Sequence, residues 1–222
     1  HTYPKRSTKI MKSYQEKFIS IAIQEQALQF GDFTLKSGRQ SPYFFNAANM
    51  LAAKSIFEVA QCYLECIDDN GLSFDCMFGP AYKGIFLGSA IATLMGQSES
   101  TISLAFNRKE VKDHGEGGNI VGAPLQGKVL IVDDVITAGT AIRESIDIIR
   151  AAGAEPAGVL IALDRQEKGN GELSAIQEVE KEFGIPVVSI IRLEQVLDYL
   201  KANPEFAGHA ENVASYRDRY GV

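Results

Sequence analysis

An α/β fold with a central, mostly parallel sheet flanked by helices is what this 222-residue sequence predicts, on three observations. Short apolar runs without polar alternation, Val129–Val132, Gly158–Leu163 and Val187–Ile191, read as strands covered on both faces. Stretches of helical period lie between them, so strand and helix alternate. Connections are short, and no internal repeat, low-complexity tract or long linker marks a second domain.

The elements follow in order. Residues 1–10 carry several cations and a proline without periodicity and read as a cloning remnant or a disordered extension, leaving 11–222 as one domain. Phe18, Ile19, Ala22, Ile23, Ala27 and Phe30 recur at helical spacing, and Phe33–Asn46 reads as a hairpin turning near Ser37-Gly38. Helix and hairpin would form a small N-terminal hood. A helix over 55–69, a strand over 74–78, a helix over 85–94 and a strand over 101–106 come next. The segment 107–122 is too polar and glycine-rich to bury well and reads as a mobile loop, a solvated hairpin tip being the plainer alternative. After the strand at Val129 and its helix, two more strands follow, with helices over 173–183, 193–202 and near the C-terminus.

A net charge of −6 with 45% hydrophobic and 23% charged residues suits a core-forming domain and argues against a general nucleic-acid or membrane surface. An anionic ligand must then meet a local cluster of cations. No apolar run approaches the ~20 residues that span a bilayer, and no signal peptide is evident, so the expectation is a cytoplasmic protein. Cys62 and Cys66 sit one helical turn apart in an apolar helix pattern, with no His or further Cys to complete a ligand set, and read as packing residues.

The stretch VLIVDDVITAGTAIRES, Val129 to Ser145, carries the most chemistry. It joins an apolar strand, two adjacent carboxylates, a small-residue turn and a helix start. Ligands in open α/β sheets gather beyond the carboxyl ends of strands, and the turn Thr137-Ala138-Gly139-Thr140 lets backbone N–H groups and hydroxyls converge on an anion at the helix N-terminus. Asp133 and Asp134 would repel phosphate but accept hydrogen bonds from vicinal hydroxyls, so acid pair plus anion turn points to a ribose phosphate. One rival is a helix cap, which needs a single acid. Another is a phosphoacceptor pair, for which no acid with a suitable lysine follows the next strand. Within 107–122, Arg108, Lys109, Lys112 and the titratable His114 would suit a diphosphate, with Gly115, Gly117 and Gly118 as hinges. Gly79-Pro80-Ala81-Tyr82-Lys83-Gly84 follows a strand and could present amides and Lys83 to the same group, although a plain connecting turn would look alike.

Together with FTLKSG (33–38), SPYFFN (41–46), GPAYKG (79–84), FNRKEVKDHGEGG (106–118) and LDRQE (163–167), that stretch resembles the bacterial orotate phosphoribosyltransferases, a branch of the type I phosphoribosyltransferase family. The resemblance runs from about Met11 to the C-terminus. It implies that fold and transfer of the phosphoribosyl group of 5-phospho-α-D-ribose 1-diphosphate (PRPP) to orotate in UMP biosynthesis, with Mg²⁺. The ion would be held by substrate and water, no direct protein ligand being expected. PRPP would be bound by Lys36, Tyr82, Lys83, Arg108, Lys109, Lys112, His114, Asp133, Asp134, Val135, Ile136, Thr137, Ala138, Gly139, Thr140 and Ala141. Catalysis would rest on Lys109, Arg108, Lys112, His114, Asp133 and Asp134. Orotate would meet Lys36, Phe44, Phe45, Thr137 and Arg165. The family's loop reaches a neighbouring active site, which implies a homodimer with shared sites and no nucleic-acid or membrane partner. Two alternatives stand beside it: transfer to another base, against which LDRQE and FTLKSG argue, and a PRPP-sensing regulator that binds nucleic acid, against which the acidic balance argues. One departure is Ala48, where the family carries glycine beside the base pocket; alanine is cheap there only if φ is negative.

Overall fold

The computed structural model describes residues 10–112 and 118–222, the side chains of Val111 and Lys112 excepted. In chain order it contains α1 (Ser13–Gln24), β1 (Leu28–Thr34), β2 (Gln40–Phe45), α2 (Ala53–Asp69), β3 (Cys76–Gly79), α3 (Lys83–Met95), β4 (Ser103–Lys112) and β5 (Gly118–Gly122). It continues with β6 (Lys128–Val132), α4 (Thr140–Ala151), β7 (Glu155–Asp164), α5 (Ala175–Phe183), β8 (Val187–Arg192), α6 (Leu193–Ala202) and α7 (Ala207–Tyr220).

Six strands form one sheet in the order β5-β4-β3-β6-β7-β8. The pairs β3–β4, β3–β6, β6–β7 and β7–β8 are parallel, and β5 runs antiparallel at the edge. The expected strand 129–132 lies at the centre, which is why it lacks polar alternation: both its faces are covered. Leu130 and Val132 point into a core shared with α1, α2, α3, α6 and α7, whereas Val129 and Ile131 point into a second core closed by Ile142, Ile146 and Ile149 of α4 and Val179 of α5. Burial on both faces leaves the strand's carboxyl end as the exit for Asp133 and the turn behind it.

Three sequence expectations are corrected. Helix α1 stops at Gln24, and Ala27 and Phe30 do not continue it. Gln26 takes a left-handed φ of 56°, and Phe30 enters β1, where its ring meets His209 at 5.5 Å and Phe206 at 6.4 Å. A distant partner near α7 therefore overrides the local helical period. The hairpin accordingly begins at Leu28, not Phe33, and turns over Leu35–Arg39 with Gly38 N–H donating to the Leu35 carbonyl. The hood is thus built from both ends of the chain. Finally, much of 107–122 is strand: β4 runs on to Lys112 and pairs with β5 through Phe106–Val121 and Asn107–Ile120. Polar composition concealed it because an edge ladder needs backbone pairing and no apolar face. Asp113, His114, Gly115, Glu116 and Gly117 lie outside the described residues.

Ala48 sits in a short 3-10 turn over Ala47–Met50, its N–H donating to Asn46 Oδ1 at 3.2 Å. It is not among the described non-glycine residues of positive φ, Gln26, Glu99 and Gln166, so alanine carries no left-handed penalty there.

Cys62 and Cys66 are 1% and 0% exposed in the core against α2's neighbours. Burial pushes their thiols up to about 12 and about 11. Since the thiolate is the reactive species, both should resist an aromatic disulfide reagent at pH 8 in the native protein and react at once after denaturation. Native labelling faster than global unfolding, read by mass spectrometry, would contradict this placement.

Candidate active site

Strand β6 delivers Asp133 and Asp134 to the sheet's carboxyl edge, 8% and 5% exposed respectively. Their backbone is anchored from three directions. Asp133 N–H donates to the Leu160 carbonyl, the Asp134 carbonyl accepts from Ala162 and Leu163, and the buried Tyr63 hydroxyl of α2 donates to the Asp133 carbonyl at 2.8 Å. Asp133 Oδ1 accepts from Asp134 N–H at 2.9 Å. Burial, reinforced by the adjacent Asp134 carboxylate, pushes the Asp133 carboxyl well above the usual carboxylate range, with Lys83 acting the other way. Lys83 Nζ stands 3.1 Å from Asp134 Oδ2 as an ion pair. Apart from that ion pair, the buried oxygen has no hydrogen-bond partner among the described residues.

Tyr63 carries no signal in the sequence beyond its place within the helix expected over 55–69. Removing its hydroxyl by Tyr63→Phe leaves the Asp133 carbonyl short of a buried donor, at a cost of about 1–2 kcal/mol. The thermal midpoint should fall by roughly 3–6 °C. An unchanged midpoint in calorimetry would show that the bond contributes nothing.

Beyond the acids, Val135–Gly139 turns the chain into α4. Gly139 is the N-cap, at φ 79°, a conformation that excludes most side chains. The first α4 backbone bond of this turn is Arg143 N–H to the Gly139 carbonyl. The amides of Thr140, Ala141 and Ile142 therefore precede the helix's own hydrogen bonding, at the positive end of its dipole, and no capping side chain covers them. Arg143 braces the turn from outside, donating to the Ala138 carbonyl at 2.9 Å and to Glu182 at 3.0 Å.

The turn borders a cavity of about 850 Å³. Lys36 from the β1–β2 turn, Pro80 and Ala81 after β3, Asn107, Arg108 and Lys109 of β4, Asn119 of β5, Asp133 and the whole 135–142 segment line it, with Glu144 and Asp147 farther along α4. The structure thus gathers Lys36, Arg108, Lys109, Asp133 and Val135 to Ala141 around one space. Asn107, which the sequence reading passed over beside Arg108, ties two walls together: its Oδ1 accepts from Ala81 N–H at 2.8 Å.

Other expected residues stand outside that lining. In the Gly79–Gly84 turn, which contains a cis peptide between Ala81 and Tyr82, Gly84 N–H donates to the Pro80 carbonyl. Tyr82 is 66% exposed and carries Lys109 Nζ 4.9 Å from its ring centre. Lys83 turns instead to Asp134. Phe44 and Phe45 project to opposite sides of β2, as strand alternation requires: Phe44 is exposed and stacked on Phe33 at 5.6 Å, whereas Phe45 is buried against Phe18 at 6.4 Å. Arg165 is held by Glu167 at 2.9 Å and Ser41 at 3.2 Å, with its guanidinium 4.1 Å from the Tyr43 ring centre. The side chains of Lys112 and His114 lie outside the described residues. Among the described residues no group of three or more His, Cys, Asp or Glu is assembled for a metal ion, and no helix is long and apolar enough to cross a membrane.

Residues 47–187 match the family model of the phosphoribosyl transferase domain. The chain is 74% identical over 212 residues to the orotate phosphoribosyltransferase of Marinobacter nauticus, covering 96% of this chain and 100% of that relative. To the orotate phosphoribosyltransferase of Pseudomonas aeruginosa it is 57% identical over 213 residues, covering 96% and 100%. A crystal structure of orotate phosphoribosyltransferase from Francisella tularensis aligns with a TM-score of 0.83 at 39% identity, covering 93% of this chain and 100% of that one.

Proposed function

The chain belongs to the orotate phosphoribosyltransferases, type I phosphoribosyltransferases that convert orotate and PRPP to orotidine 5′-monophosphate and diphosphate, and we propose that it does so in the cavity beside the 135–141 turn. One observation carries the assignment: uncapped amides of α4, a buried acid and the cations Lys36, Arg108 and Lys109 face a single space. The 5′-phosphate occupies the helix N-terminus, received by the amides and hydroxyls of Thr137 to Ala141. Asp133 and Asp134 accept hydrogen bonds from the ribose hydroxyls. The diphosphate extends toward Lys36, Tyr82, Lys83, Arg108 and Lys109.

Orotate's ring nitrogen forms the bond to ribose C1 as the bond from C1 to the diphosphate oxygen breaks, and the ring-nitrogen proton leaves to solvent. No protein nucleophile is needed. Positive charge develops on the ribose beside the acid pair and negative charge on the departing diphosphate, so alignment, water exclusion and fixed charges supply the rate. Lys109 and Arg108 stabilise the leaving group, assisted by Lys112 and His114. Arg165 recognises the orotate carboxylate; Glu167 and Ser41 engage Nε and Nη2, which leaves further guanidinium N–H groups for a ligand. Phe44, on the exposed side of β2, borders the base, and Phe45 supports that strand from the core.

A substrate-borne Mg²⁺ fits beside this acid pair, whose Asp134 Oδ2 is buried without a hydrogen-bond partner among the described residues. The ion would be held mainly by substrate oxygens and water near Asp133 and Asp134, and would supply neutralisation of the diphosphate. The same reading has the enzyme act in the cytoplasm as a homodimer with the lid loop shared across subunits.

Mixing the protein with PRPP, Mg²⁺ and orotate should give diphosphate and a loss of orotate absorbance, abolished by chelation, with no turnover of uracil or hypoxanthine. PRPP binding without turnover of any base would overturn the assignment in favour of a regulatory role.

A further inference from the structure

Arg165 belongs to a closed ring of four largely buried side chains that reaches the last helix of the chain. Its Nε pairs with Glu167 Oε1 at 2.9 Å, Glu167 Oε2 accepts from the Tyr216 hydroxyl of α7 at 2.5 Å, the Tyr216 ring meets Tyr43 edge-on at 6.1 Å, and Tyr43 lies 4.1 Å beneath the guanidinium. Tyr43 and Tyr216 are 0% and 6% exposed, and the Arg165 and Glu167 side chains 13% and 17%. Backbone pairing clamps the same loop to the chain's end: Lys168 N–H donates to the Tyr220 carbonyl at 2.8 Å and Val222 N–H to the Gln166 carbonyl at 3.0 Å.

We propose that Glu167 and Tyr216 are positioning residues for base selection, fixing the guanidinium of Arg165 so that the enzyme prefers a base bearing a carboxylate. An arginine on a loop end has many rotamers, and freezing it before the ligand arrives moves that entropy cost from binding to folding. Each ring contact restrains a different degree of freedom. Glu167 fixes the guanidinium's edge, Tyr43 supports its face, and Tyr216 holds Glu167, whose second oxygen would otherwise be a buried acceptor without a donor. The inference rests on the reading that Arg165 meets the orotate carboxylate.

The test compares calorimetric binding of orotidine 5′-monophosphate, which carries that carboxylate, with uridine 5′-monophosphate, which lacks it. Tyr216→Phe should weaken the first about tenfold, as expected for one lost bond to a charged group, and leave the second unchanged. Orotate KM should rise in parallel while PRPP KM and kcat hold. Glu167→Asp retains the charge but shortens the reach, so an equal loss of preference there assigns the effect to geometry and not to charge. Equal weakening of both nucleotides in these variants would reduce the ring to a structural role and overturn the proposal. Arg165→Gln separates the two layers: if it abolishes the preference and Tyr216→Phe does not, the positioning proposal fails alone. If Arg165→Gln leaves the preference intact, the Arg165 reading fails and the proposal with it.

Discussion

Replacing Lys109 with alanine should lower kcat by about tenfold or more while changing the KM for PRPP only modestly. Lys109 lines the cavity from β4, across from the turn at the α4 N-terminus. Its ammonium lies over the exposed Tyr82 ring and pairs with no carboxylate among the described residues. A cation that meets the departing diphosphate contributes most when negative charge has accumulated, which is why its loss appears in kcat. Arg108 on the same strand should behave alike with a smaller effect. Steady-state kinetics decide: an unchanged kcat would remove Lys109 from the catalytic set, and a change confined to KM would make it a ground-state binder.

The Gly84→Ala variant should be severely destabilised, losing about 3 kcal/mol or more and roughly 6–12 °C in thermal midpoint. A Cβ at Gly84 would stand 2.7 Å from the Val132 carbonyl oxygen and 2.8 Å from the Gly79 carbonyl carbon, both backbone atoms of the sheet's carboxyl edge. Neither can rotate away. Relief requires separating the 79–84 turn from the end of β6, which also parts Lys83 from Asp134, so activity should fall with stability. Gly96 is the control: at φ −60° with open space around its Cβ position, Gly96→Ala should be neutral or slightly stabilising. Equal effects at both positions, measured by calorimetry, would contradict the close-approach argument.

What could be read from the sequence was what local chemistry determines. The Val129–Val132 run, the acid pair and the small-residue turn are contiguous, so their order along the chain is also their order in space, and the turn leads from the end of β6 into α4 beside the cavity. Parallel pairing of β6 between β3 and β7 followed from the absence of alternation. The misplaced helix end at Ala27 and Phe30 has the opposite cause, because Phe206 and His209, far along the chain, decide the fate of Phe30. Similarly, Lys83 facing Asp134, Asn107 holding the Ala81 amide and Tyr63 beneath Asp133 are choices among many partners that only the assembled sheet reduces to one. The opposed directions of Phe44 and Phe45 were available in principle from strand alternation, and a reading of the base pocket by motif alone passed over it.

Crystallographic difference density for PRPP bound with Mg²⁺ tests the placement of this reaction most directly. The 5′-phosphate is expected within hydrogen-bond distance of the amides spanning Ala138 to Ala141, the ribose hydroxyls at Asp133 and Asp134, and the diphosphate directed toward Arg108 and Lys109. Density for the 5′-phosphate away from the 137–141 turn, or ribose hydroxyls out of reach of both carboxylates, would contradict it.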